Sequence, residues 1–252
     1  MQNVDGNRRK RLGVIGGLGP MASAHFYSII TQMTAAESDQ EHLEIEILSL
    51  PGIPDRTAFI SGRSNNDPVP ALITAALELQ SHGAEIIAIP CVTAHCFFDQ
   101  IQDMVHTRIL NMVDETAACL ARHNVARAGL LATEGTLTCS IFEKALDNYK
   151  IESMKPEMND QRIVMSTIYE KIKAAREIDY ISFESVTDNL KTQGADAIIL
   201  GCTELSLIDK RKLTASFYDA LEILAAVCVS ECGAKLTASA ETLLALDGSG
   251  SC

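Results

Sequence analysis

Tryptophan is absent from this 252-residue chain, and aromatic residues of any kind make up only 5% of it. Its interior must therefore be filled by aliphatic side chains, as α/β interiors often are. Hydrophobic residues supply 47% of the sequence, yet no apolar run approaches the length of a membrane-spanning helix. Basic residues are in short supply: 21 Lys and Arg stand against 33 Asp and Glu, for a net charge of −12. That balance argues against nucleic acid and anionic membrane surfaces as partners. It also requires any site for an anionic substrate to hold local positive groups against the overall field. A disulfide framework is missing too. The eight cysteines are scattered without regular spacing, which points to reduced thiols and a cytoplasmic setting. The start "RRKRLGVIGGLGPMASA" has a basic stretch, an apolar stretch and small residues, as a secretory signal would. Gly16, Gly17, Gly19 and Pro20 interrupt it, however, and it reads better as strand, glycine turn and helix start.

What is present is alternation. Leu12–Gly16 reads as a strand and Pro20 to about Ala36 as a helix with proline in its first turn. Leu43–Leu50 reads as a second strand, Val69–His82 as an amphipathic helix closed by Gly83, and 84–90 as a third strand. A helix follows Cys91, then a short strand near Arg108–Val113 and a helix to His123. The second half repeats the plan, with strands at Ala126–Ala132 and Ala195–Leu200. Its helices fall near Leu137–Tyr149, Asp160–Ala175, Ile181–Gln193 and Asp219–Val229. Such βα alternation indicates parallel sheets with right-handed crossovers.

The stretch "GAEIIAIPCVTAH" (83–95) carries the functional question. A short isoleucine-rich run is a buried parallel strand, and ligands in such sheets sit beyond the carboxyl ends of the strands. Cys91 would then stand at the mouth of a site, although a cysteine that merely packs fits the same stretch. Comparing the chain with itself sharpens the choice. "GADAIILGCTELS" at 194 echoes it with a constant offset, pairing Gly83 with Gly194 and Cys91 with Cys202. Thr93 lies two residues after its cysteine, whereas Thr203 follows directly. A weaker echo pairs "GVIGGLGP" at 13 with "GLLATEGT" at 129.

We therefore expect two similar α/β domains with parallel sheets related by a pseudo-twofold, and a site in the interdomain cleft. The first domain is expected at 1–112 completed by 213–232, the second at 113–212, and a C-terminal tail at 233–252. The two thiols would face each other across the cleft. Inverting a carbon centre by proton transfer needs a base on one face and an acid on the other, which a thiolate and a thiol can supply. A predicted helix start follows each cysteine, at Thr93 and Thr203, and backbone N–H groups there would favour a thiolate. Arg56, in "PGIPDRTAF" beyond the second strand, could clamp a carboxylate with its bidentate fork. A surface salt bridge with Asp55 is the competing account of Arg56.

With these residues in view, the chain resembles the cofactor-independent aspartate/glutamate racemases, the aspartate racemase branch in particular. The resemblance runs from about Leu12 to Val229 through "GVIGGLGPMAS", "IPDRTAF", "GAEIIAIPCVTAH", "ILNMVDET", "GLLATEGT", "VMSTIYEKIKA" and "GADAIILGCTELS". It implies racemisation of an acidic amino acid, with Cys91 and Cys202 as acid/base pair and neither pyridoxal phosphate nor metal. It carries carboxylate contacts onto Arg56 and Lys173, the latter otherwise a solvated lysine. Further contacts fall on Thr93, Thr133, Thr203 and Glu204, and a homodimer is implied. One position departs: the family usually has Cys-Asn-Thr-Ala-His in the first loop, where this chain has Val92. Valine cannot hydrogen-bond a substrate amino or carboxylate group, so the change bears on substrate identity. Other small acids, as in hydantoin racemisation or cis–trans isomerisation, and non-catalytic dicarboxylate binding remain alternatives.

Other signals are weaker. "GLGPMA" at 17–22 fits a dinucleotide fingerprint, but "LSLPG" ends the second strand without an acid for a ribose. Cys91, His95 and Cys96 in "CVTAHC" lack a second cluster to complete a metal site, so His95 is read as capping or orienting the loop. A Cys91–Cys202 redox couple lacks a C-x-x-C motif. Cys96, Cys119, Cys139, Cys228 and Cys232 are assigned to packing.

Overall fold

A computed structural model describes residues 8–245 of the chain. Its first half begins with β1 (Leu12–Gly16) and α1 (Pro20–Met33), where Pro20 stands at the first helical turn that its fixed φ favours. It continues through β2 (Ile45–Ser49), α2 (Arg56–Ile60), α3 (Val69–Ser81), β3 (Ile86–Ala88), α4 (Phe98–Gln102), β4 (Arg108–Ile109) and α5 (Met112–Arg122). The second half runs β5 (Arg127–Leu131), α6 (Glu134–Cys139), α7 (Ile141–Asp147), β6 (Glu152–Met154), α8 (Met158–Ser166), α9 (Tyr180–Thr192), β7 (Ala197–Leu200) and β8 (Phe217–Asp219). It is followed by α10 (Ala220–Glu231) and α11 (Ala238–Leu243).

Two four-stranded sheets result, in the orders β2-β1-β3-β4 and β6-β5-β7-β8, and every strand pair is parallel. The second sheet thus repeats the order of the first. The inner strands β1, β3, β5 and β7 are buried along nearly their whole length, as expected of strands covered on both faces. Between the halves runs α10, with Leu221, Ile223, Leu224, Val227 and Val229 all buried. It packs on α1 and α5, so one continuous core joins the halves.

The expected boundaries need correction at the carboxyl end. Phe217–Asp219 pairs with β7 and completes the second sheet, so 213–219 does not return to the first half. The return begins at Ala220, where the Asp219 side chain caps α10. Residues 233–245 are not a tail either. Ala35 N–H donates to the Lys235 carbonyl (2.8 Å), Thr237 N–H to that of Met33 (2.9 Å), and Arg122 Nε to that of Leu244 (2.7 Å). Residues 246–252 lie outside the described part.

Two expected helices are broken. Leu137–Tyr149 divides at Ser140, held at φ +53° between α6 and α7. Asp160–Ala175 passes from α8 into a π-helical turn over Thr167–Ile172. Such turns are uncommon and recur at functional sites; this one leads into Lys173.

Thiol burial gives this fold a pH limit. Burial pushes Cys119 up to about 11 and Cys232 up to about 12, and raises Cys96, Cys202 and Cys228 in the same direction. In the unfolded chain these thiols ionise near the ordinary value of about 8.5. Above that pH the unfolded state loses protons that the folded state keeps, so stability falls by up to about 1.4 kcal/mol per thiol per pH unit. We expect the reduced protein's melting temperature to hold between pH 7 and 8 and to fall steeply from pH 9 to 10.5. A flat melting profile across that range would contradict the burial of these thiols.

Candidate active site

Cys91 and Cys202 lie just past the carboxyl ends of β3 and β7, the equivalent strands of the two sheets. Each sulfur-bearing residue is 5% exposed. Both line one cavity between the halves, together with Arg56, Val92, Thr93, Thr133, Lys173, Thr203 and Glu204. All nine residues singled out from the sequence therefore meet at one place. Sequence reasoning missed Leu18, Asp55, Thr57 and Tyr169, which complete the lining. Tyr169 had a detectable signal, standing one helical turn before Lys173; Lys173 Nζ lies 4.3 Å from its ring centroid.

The first half supplies a buried cation. Arg56 opens α2 and is 7% exposed. Its Nη1 donates to the carbonyls of Ile53 (3.3 Å) and Pro54 (3.0 Å), and its Nη2 to that of Leu18 (3.0 Å). The competing surface salt bridge is not formed: Asp55 Oδ1 instead accepts the Ala58 N–H at 2.7 Å and caps α2. Burial alone would lower the Arg56 pKa. The neighbouring Cys91 sulfur, with smaller contributions from Asp55 and Glu204, outweighs it and raises the pKa overall.

The Cys91 loop is fixed from behind by His95. Its Nε2 accepts the Met112 N–H at 3.2 Å, so the ring proton sits on Nδ1 and is donated to the Cys91 carbonyl at 3.0 Å. Burial lowers the pKa of His95, which keeps it in this neutral form. Below the loop, four buried threonine hydroxyls interlock across the halves. Thr93 meets Thr133 and Thr136 at 3.0 Å each, and Thr57 meets Thr133 at 3.3 Å. Gly135 makes this join possible, because a Cβ there would stand 2.9 Å from Thr57 Cα.

Cys202 has the opposite electrostatic setting. Its Sγ donates to Glu204 Oε2 at 3.0 Å, and Glu204 Oε1 lies 3.6 Å from Lys173 Nζ. Burial first, then the charge and hydrogen bond of Glu204, hold the thiol well above its ordinary pKa, against a smaller opposing effect of Lys173. This overturns the expectation that helix starts favour a thiolate at both cysteines. A 3-10 turn, and not the start of an α-helix, comes first after each one, over Val92–Phe97 and Leu205–Leu207. Lys173 would be lowered by burial, but Glu204 and Tyr169, followed by the two cysteines, raise it.

The cavity is narrow: its volume is about 10 Å³, room for roughly one water molecule. Beside it opens a vestibule of about 410 Å³ that shares Leu18, Asp55, Arg56, Lys173 and Glu204. Residues 17–19 and the first turn of α1 line this vestibule, and position 17 needs glycine, because its φ is +85° and a Cβ there would run into the backbone of Leu50. A larger groove of about 440 Å³, beside Cys96 and Cys139, contains none of the nine residues. Among the described residues, no group of three or more His, Cys, Asp or Glu is placed to hold a metal ion. No described helix is long and apolar enough to cross a membrane.

Two matched α/β halves with a cysteine at the end of each equivalent strand define a recognisable class. Residues 15–228 match the family model described as Asp/Glu/Hydantoin racemase, and the chain belongs to that family. The Picrophilus torridus aspartate racemase structure superposes with a TM-score of 0.84 at 31% identity, covering 93% of this chain and 99% of that one. The broad specificity amino-acid racemase RacX of Bacillus subtilis (strain 168) is 25% identical over 205 residues, 78% of this chain and 86% of that protein. A glutamate racemase from Francisella tularensis in complex with D-glutamate shares the fold, with a TM-score of 0.63 at 14% identity over 88% of this chain and 81% of that one.

Proposed function

We propose that this protein racemises an acidic amino acid, aspartate in the first place, by transferring protons between two cysteines on opposite faces of the α-carbon. The observation that carries this reading is the convergence of Cys91 and Cys202 on one cavity with two cationic side chains, the buried Arg56 and the more exposed Lys173. Similarity to an aspartate racemase over nearly the whole chain supports the choice of substrate.

Charge complementarity separates the roles. Cys91 has a guanidinium as neighbour and Cys202 a carboxylate. Cys202, held as the thiol, is therefore placed to donate, and Cys91, on the other half, is assigned to take the α-proton. Abstraction at one face and delivery at the other leave the opposite protonation pattern, which serves the reverse reaction. Arg56 and Lys173 hold the carboxylates and stabilise charge that develops on the α-carboxylate as the carbanion forms. Thr93, Thr133, Thr203 and Glu204 line the remaining walls, with Val92 as an apolar one. The chemistry assigned here uses side chains alone. Substrate binding requires the lining to move, since an amino acid needs many times the present cavity volume.

The test is proton NMR of L-aspartate and, separately, L-glutamate in D₂O with reduced protein, with chiral separation of the products. Loss of the α-proton signal with formation of D-aspartate is the expected result. Silence with both substrates, from protein shown to be folded, would overturn the reading in favour of another small acid or a binding role.

A further inference from the structure

Glu204 is the most constrained acid in the cavity. Its side chain is 7% exposed, and its Oε2 takes the Cys202 Sγ (3.0 Å) and Thr203 hydroxyl (3.4 Å) as donors. Its Oε1 accepts no hydrogen bond among the described residues. The nearest cation, Lys173 Nζ, stands 3.6 Å away, beyond the 2.7–3.2 Å of a hydrogen-bonded pair. Several other acceptors of the lining are committed or exposed. The threonine hydroxyls of Thr57, Thr93 and Thr133 bond one another, and Asp55 is exposed, with Oδ1 on the Ala58 N–H. Val92 offers none. From the vestibule side, Oε1 is approached past Gly19, where an added Cβ would come within 3.3 Å of it and of no other atom within 4 Å.

A buried carboxylate oxygen with no hydrogen bond is costly unless something completes it. We propose that the Lys173–Glu204 pair is a placeholder for a zwitterion: the substrate α-ammonium replaces Lys173 at Glu204 Oε1, and Lys173 turns to the substrate carboxylate. The inference rests on the acidic amino acid reading and narrows it to substrates with a free ammonium group. The exchange conserves charge, because each partner of the opened pair receives an opposite charge from the ligand. A plain dicarboxylate such as succinate would bring no cation for Glu204 and would set like charges facing in a buried site. A hydantoin could donate an amide N–H to Glu204 but would bring no positive charge to replace that of Lys173.

Calorimetric binding of racemic aspartate and of succinate, to reduced wild-type protein and to Glu204→Gln, reads this out without depending on turnover. We expect Glu204→Gln to bind aspartate at least about tenfold more weakly, the usual loss for a charge-assisted hydrogen bond, and succinate equally or several-fold more tightly. Gly19→Ala, at a backbone φ of −107° that alanine adopts readily, places a methyl group where the ammonium would sit. It should weaken aspartate and spare succinate. Parallel weakening of both ligands, or no loss for aspartate in either variant, overturns the inference and leaves the racemase reading standing. Binding of neither ligand by the wild-type protein overturns both.

Discussion

Cys91→Ala and Cys202→Ala should each lower racemisation by about 10²–10⁴-fold, the usual contribution of a positioned acid or base. Each variant should still exchange the α-proton of one enantiomer with D₂O, and the two variants should prefer opposite hands. The reason is geometric. The cysteines come from equivalent strand ends of different halves, so removing one leaves a single proton carrier on one face. Exchange without inversion then remains for the enantiomer whose α-proton points at the surviving sulfur. Both residues are small and 5% exposed, so alanine leaves little cavity and the variants should fold. Following α-proton loss from L- and D-aspartate separately, by NMR, measures both properties. If both variants prefer the same hand, the sulfurs do not address opposite faces and the two-base reading fails.

The two remaining exchange reactions should not be equal. Cys202 is held as a thiol by burial and by Glu204, so the variant that keeps only Cys202 must first lose that proton. It should be the slower exchanger at neutral pH and should gain rate as pH rises, because a raised thiol pKa leaves less thiolate at any given pH.

Much of this site was legible because parallel sheets put function at predictable places. An apolar run ending in a small polar loop marks the carboxyl end of a buried strand, and the internal echo doubled the signal at Cys91 and Cys202. Strands bounded by clear turns, such as Leu12–Gly16, are found as read. The edge strands of the second sheet were not. Glu152–Met154 and Phe217–Asp219 are three residues each and only partly buried, so they lack the apolar run that betrays an inner strand. The attachment of residues 233–245 was hidden for a related reason: they are held largely by backbone hydrogen bonds at the end of α1 and by side-chain donors on α5, which leave little mark on the sequence. Tyr169 and Thr57 were missed because polar residues on a helix face read as solvated surface until a second domain covers them. Likewise, nothing in "GCTELS" reveals that the carboxylate at Glu204 turns back onto the preceding cysteine.

Arg56 shows how such a buried residue can be tested when folding and chemistry share it. Arg56→Lys should keep the positive charge and lower kcat/KM by about 10²-fold, in the range for losing one preorganised donor to a developing oxyanion. Arg56→Ala should lose about 10³-fold and melt at a lower temperature. Three carbonyls, of Leu18, Ile53 and Pro54, take hydrogen bonds from the guanidinium, and a buried acceptor left alone costs about 1–3 kcal/mol. Those contacts occupy Nη1 and part of Nη2, while Nε has no partner among the described residues. The unused donors are the ones a fork-shaped cation presents to a carboxylate. Lysine, a point charge on a flexible stem, can satisfy a carbonyl or a substrate but not the whole set. The separation of effects is the check. In Arg56→Lys, catalysis should fall far more than the melting temperature, and succinate binding should weaken with it. If Arg56→Lys racemises within about threefold of the wild type, Arg56 serves the loops around Leu18 and Pro54 and does not hold the substrate.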